Sequence, residues 1–227
     1  MVKNIINKNV FFYFLFFSFF SCKNEKLKED ENLNSTEYFS IPTDLKNMRN
    51  IEKSKINDSL YKIKGLFNNY IIQGYMNGNK KIGWWEALDD NKKEIVAKLE
   101  YKFIDNKEFV NQYILYKNGK IDTLKSKFYR INKSQNFVKY KFYIPYQSNE
   151  VHSEGKLYYR YSFQGKVYRH LESKGFKNKN VFDCTVSIPA NFNNKDLFIE
   201  GNFWEIFQLE NGEISGNDIY VSDTLKQ

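Results

Sequence analysis

Cys22 is the residue whose setting most clearly implies chemistry. It closes an apolar run, Val10 to Ser21, that begins behind Lys3 and Lys8 and ends in Phe19-Phe20-Ser21-Cys22. A thiol at such a junction is a nucleophile that can take lipid once the apolar run has brought it to a membrane. No acid precedes Glu25, and the 11-residue apolar segment from Val10 to Phe20 falls within the ~7–15 of a signal h-region. A spanning helix needs roughly 18 or more apolar residues, and the polar Asn7-Lys8-Asn9 break keeps this segment short of that. The reading is an export signal over residues 1–21 that ends at the cysteine.

That junction resembles the lipobox of bacterial lipoproteins: Ser21 and Cys22 fit, while Phe19 and Phe20 replace the family's Leu and Ala or Ser. The resemblance implies a diacylglycerol on Cys22, cleavage just before it, and acylation of the new amino terminus. One acyl chain holds a protein only marginally, but each buried methylene adds ~0.8 kcal/mol, so two or three chains anchor it for good. Lys23-Asn24-Glu25 loosely resembles the surface-export tags of Bacteroidota lipoproteins. The expected partner is therefore a lipid bilayer, reached through acylated Cys22, in a cell envelope. The outer membrane is favoured, with the surface and periplasmic faces both open.

Other chemistry finds little support. His152 and His170 have no cysteine or carboxylate at ligand spacing, so neither a structural metal nor a cofactor is expected. No Gly-x-Ser-x-Gly elbow is present. Gly78 to Gly83 leads into a strand rather than a helix, unlike a phosphate cradle. Asp89, Asp90 and Glu100 read as solvated acids rather than a glycosidase pair. With Cys22 lipidated, Cys184 has no disulfide partner, and its parity in Phe182 to Ile188 marks it as a buried small hydrophobe. What remains is stacking: Trp84, Trp85 and Trp204, with tyrosines, are candidate binding residues for a sugar.

The formal charge of +8 invites a nucleic-acid reading, yet only four of the 35 basic residues are arginine. Arginine is the side chain favoured for bidentate phosphate grip, and the lysines are scattered, so no nucleic-acid partner is expected. The chain carries 17 Tyr, 21 Phe and 3 Trp, a supply that suits strands and gives a large burial payload.

Residues 22–57 are polar and read as the lipidated cysteine followed by a flexible tether. A short helix is placed from Thr43 as N-cap through Leu45, Met48 and Ile51. Beyond residue 60 alternation takes over. It predicts strands at 99–103, 109–116, 138–144, 157–163, 182–188, 197–209 and 219–221, with turns at Asn118-Gly119, Gln164-Gly165 and Asn211-Gly212. Gly201 is expected to mark a bulge or bend. The fold class is all-β.

Tyr75 to Trp85 resembles the bacterial variant of the MORN repeat, an Asn-Gly-x-Lys-x-Gly-x-Trp theme met by Asn77, Gly78, Lys80, Gly83 and Trp85. The resemblance implies stacked antiparallel hairpins over residues 58–131, with Asn77, Gly78 and Gly83 as the turn residues. From residue 132 to 227 the chain is similar to immunoglobulin-type sandwich modules of bacterial surface proteins, with Ile144-Pro145 and Ile188-Pro189 each ending a strand. The functional expectation is a non-catalytic envelope lipoprotein whose β lobes bind a protein or glycan partner. The alternative is an accessory to, or an enzyme acting on, an envelope polysaccharide.

Overall fold

The structure is a computed structural model that describes residues 43–134, 136–188 and 197–225. Ser21, Cys22, the signal and most of the tether lie outside the described residues.

Seven antiparallel strands follow one another in chain order across the first sheet. They are β1 Arg49–Lys55, β2 Leu60–Phe67, β3 Tyr70–Asn77, β4 Lys80–Asp89, β5 Ile95–Ile104, β6 Lys107–Lys117 and β7 Lys120–Ile121. Turn chemistry sets the meander. Asp105-Asn106 and Asn118-Gly119 both hold positive φ at two successive positions, as a type I′ hairpin demands. Gly78 alone is positive in the β3–β4 loop, the requirement of a II′ turn. One face is buried: Ile63, Ile72, Trp85, Ala87, Ala97, Leu99 and Tyr101 are all at most 2% exposed. Large residues face glycines across the strands, with Ile63 opposite Gly74 and Ile72 opposite Gly65.

The chain entering this sheet belongs to its core. Met48 is buried, and a Cβ on Gly65 would lie 3.1 Å from its side chain. Thr43 is buried too, its hydroxyl hydrogen-bonded to the Tyr101 hydroxyl. The expected helix is only a 3-10 turn, Leu45–Asn47, capped by Asp44, and the next residues form β1. The tether over 22–57 thus ends earlier than its polarity implied, because Met48 and Thr43 are held by partners distant in sequence.

The second lobe begins with β8 Phe128–Lys133 and β9 Phe137–Tyr143. There follow β10 Glu150–Phe163, β11 Lys166–Lys174, β12 Phe176–Asn178, β13 Val181–Ser187, β14 Leu197–Leu209 and β15 Ile214–Leu225. They form two four-stranded sheets, β11-β10-β14-β15 and β12-β13-β9-β8. A shared core joins the sheets: Tyr140, Phe142, Phe182, Cys184 and Val186 from one, Leu157, Ile199, Phe203, Ile219 and Val221 from the other. Phe142 and Phe203 stack across it at 4.0 Å between centroids. β9 and β13 both stop one residue before their Ile-Pro pairs, at Ile144 and Ile188; Pro189 lies outside the described residues. Since β8 pairs with β9, the second lobe takes residues 128–131 from the span assigned to the first.

The lobes are joined by hydrogen bonds as well as by chain. Asn111, 1% exposed on β6, donates to the Tyr220 carbonyl at 2.9 Å and accepts from the Tyr220 amide at 2.7 Å. Its amide thereby pairs with β15 as a neighbouring strand would.

Two glycine assignments change. Gly83 (φ +62) is not in a turn. It sits where β4 runs three residues, 83 to 85, against the single Gly74 of β3, so it opens a bulge whose two extra residues keep strand parity; alternation then leaves Trp84 outward and Trp85 inward. At Gly201 the pairing with both β10 and β15 is unbroken. Its role is close approach, because a Cβ there would lie 2.3 Å from the Tyr158 carbonyl oxygen.

Candidate functional site

The outer face of the β11-β10-β14-β15 sheet carries a groove. Strand parity puts Tyr158 and Arg160 of β10 outward beside Glu200, Asn202 and Trp204 of β14, while their neighbours Leu157, Ile199 and Phe203 fill the core. On β11 the register slips between Leu171, opposite Tyr159, and Tyr168, opposite Tyr161. Arg160 therefore faces two residues, Arg169 and His170, and His170 takes a left-handed backbone (φ +58). Such bulges re-aim side chains, and both residues here reach the groove.

A depression of about 490 Å³ lies over Gly201, lined by Tyr158, Arg169, His170, Glu200, Asn202 and Tyr220 among others. Next to it a second, of about 270 Å³, is lined by Tyr161, Val167 and Phe198 and shares Arg160, Arg169 and Glu200. A larger hollow of about 700 Å³ near Lys117 to Lys125 is walled by one hairpin and its following loop, without an aromatic ring.

Charge in the groove is unevenly satisfied. Arg160 Nε donates to Glu200 Oε2 at 2.8 Å, with a further bond from Nη2. The Tyr220 hydroxyl bonds the other oxygen, Oε1. Arg169 is exposed and has no ion-pair or hydrogen-bond partner among the described residues. The aromatic walls are ordered by mutual packing. Tyr158 and Trp204 rings lie 6.0 Å and 17° apart on the groove face, whereas Tyr161 and Tyr168, 4.6 Å and 20° apart, lie on the side of the sheet that packs against the core.

The tryptophans singled out from sequence are not brought together. Trp84 is exposed on the first lobe, opposite Glu100. Trp85 is 0% exposed, its indole N–H donating to the Tyr75 carbonyl at 3.1 Å. It cannot stack on a ligand, because strand parity puts it on the core face with Ala87, opposite Leu99. Trp204 alone stands by the groove. Sequence reasoning does not single out Arg160, Arg169 or Glu200 as site residues, and it weighs His170 only as a metal ligand. The alternation of Tyr158, Arg160 and Ser162 was visible, but the register that adds Glu200 and the two β11 residues was not.

Inside the sandwich, Glu205 is 2% exposed yet fully partnered: it accepts from Ser153 at 2.8 Å, Lys177 at 3.0 Å and Asn217 at 2.8 Å. That network ties β10, β12, β14 and β15 together. Among the described residues no group of three or more His, Cys, Asp or Glu is arranged to hold a metal. No described helix is long and apolar enough to cross a membrane. Comparison with protein-family models, curated proteins and solved structures finds no match.

Proposed function

We propose that the chain is a non-catalytic cell-envelope lipoprotein, anchored through acylated Cys22, whose sandwich groove binds a glycan. The observation that carries this reading is the convergence of ordered aromatic rings with Arg160, Glu200, Asn202 and Arg169 on one open face. Sugars present C–H faces to rings and hydroxyls to such polar groups. The meander of the first lobe, with Gly78 in a turn and Trp85 closing the core, supports the MORN-like reading. The sandwich orders support the immunoglobulin-like one: β12-β13-β9-β8 and β11-β10-β14-β15 take the places of strands D-E-B-A and C′-C-F-G.

Binding is favoured over hydrolysis of an envelope polysaccharide. Sugar hydrolysis generally uses two carboxylates flanking the bond, and Glu200 is the single carboxylate among the described lining residues, already held by Arg160 and Tyr220. A glycan array probed with the mature chain is expected to return hits that Tyr158→Ala removes. An empty array, or release of reducing sugar from a bound polymer, would refute the proposal. The anchor is tested separately: Cys22→Ala is expected to abolish palmitate labelling and release the protein from membranes.

A further inference from the structure

We infer that the groove reads one carboxylate of the glycan that lies across it, so that the ligand is an acidic, uronate-bearing polysaccharide; this rests on the glycan reading above. Arg160 and Tyr220 already satisfy both oxygens of Glu200, which leaves Arg169 as one unspent positive charge at the centre of the groove. A guanidinium presents a planar fork that matches a carboxylate in two parallel hydrogen bonds. One surplus charge suits a monoanionic carboxylate better than a phosphate dianion.

Position makes the match specific. Arg160 and Arg169 are two of the four arginines in the chain, and the β10–β11 hairpin register sets them side by side on the ridge shared by the two depressions. A ligand spanning both hollows crosses that ridge once. The rings lie on either side, Tyr158 bordering the larger hollow and Phe198 the smaller. A chain molecule with apolar sugar faces and a carboxylate at the linking residue meets all three features. A neutral glycan would leave Arg169 unused, and an acidic peptide would leave the rings without matching flat faces.

The test is calorimetric titration of the full mature protein, in detergent, with tetrasaccharides of galacturonate and mannuronate and with their methyl esters. Esterification removes the charge and keeps the rings. At least one acid is expected to bind tenfold or more tighter than its ester. Arg169→Gln is expected to erase that difference, raised salt to shrink it, and Tyr158→Ala to weaken acid and ester alike. Because Arg169 is exposed, its substitution leaves the fold intact, which circular dichroism checks. Equal binding of acid and ester with Arg169→Gln silent would overturn the inference while leaving the glycan reading standing. No binding by any tetrasaccharide, with Arg169-dependent capture of an oligoglutamate peptide, would overturn both, as would no binding at all.

Discussion

Trp85 lies flat across Gly74: a Cβ on residue 74 would fall 2.2 Å from ring atom Cδ2 of the indole. The glycine is a slot and the tryptophan its filling, with the indole N–H tied to the adjacent Tyr75 carbonyl. Overpacking of this kind costs about 1–3 kcal/mol, and emptying the site by Trp85→Ala costs about 3–5 kcal/mol. Gly74→Ala is therefore expected to destabilise the wild type but to be far less harmful beside Trp85→Leu. Urea denaturation of the two single variants and the double measures that coupling.

Asn111 bridges the lobes, and its loss should uncouple them. Asn111→Ala orphans the Tyr220 amide and carbonyl and withdraws a donor from Glu100. Each buried group left unsatisfied costs about 1–3 kcal/mol. The variant is expected to unfold in two steps where the wild type shows one. Fluorescence separates them, since Trp84 and Trp85 report the first lobe and Trp204 the second.

Removing one member of a buried ion pair leaves its partner stranded, at about 3–5 kcal/mol. Lys177→Met is expected near the lower end, because Ser153 and Asn217 still serve Glu205. The joint change of Lys177 and Glu205 to methionine should cost less than the two single changes together. Equilibrium unfolding of all three variants tests this.

The tyrosines set the response to alkali. Burial raises the Tyr101 hydroxyl to about 12. Burial and the charge of Asp223 push Tyr129 and Tyr140 further up. A folded pKa above the unfolded one gives stability that is whole below the ordinary 10.0 and is lost as pH climbs through the folded values. The slope is about 1.4 kcal/mol per pH unit for each group. The melting temperature should fall steeply above pH 10, and less steeply in Tyr129→Phe. Asp223 acts in the same sense at acid pH. Burial raises it, against hydrogen bonds from Tyr129 and Tyr140, so its contribution is full below 3.8 and declines as pH rises through the folded value. Asp223→Asn should flatten that side of the profile.

Cys184 is 0% exposed, and burial lifts its thiol to about 12. Thiolate is the reactive form. Iodoacetamide at pH 8 is expected to leave residue 184 unmodified in the native protein and to label it once urea is added. Native labelling at the rate of a free thiol would contradict the structure.

Strand positions were legible because alternation is local: Tyr140 and Phe142 point inward between Lys139 and Lys141 whatever their partners. The hairpins at Asn118-Gly119 and Gln164-Gly165 were legible for a similar reason, since positive φ at successive residues is a property of the turn itself. The groove was not. Tyr158 and Glu200 are far apart in the chain, and only the register of β10 on β14 makes them neighbours. The buried Glu205 was invisible for the same reason, its tolerance depending on Lys177 arriving from another strand.

Parity and turn residues, which act over two to four positions, were enough to declare this chain all-β and to mark its cysteine 184 as core. Which tryptophan fills a slot and which borders a groove was decided by tertiary structure. The slot at Gly74 takes Trp85, while Trp84 falls on the other face opposite Glu100, and the β11 bulge sets Arg169 and His170 together opposite Arg160 where alternation alone would place one residue. Burial of Met48 and Thr43 follows the same physics: a polar stretch is drawn into the core when distant strands offer it a surface to cover.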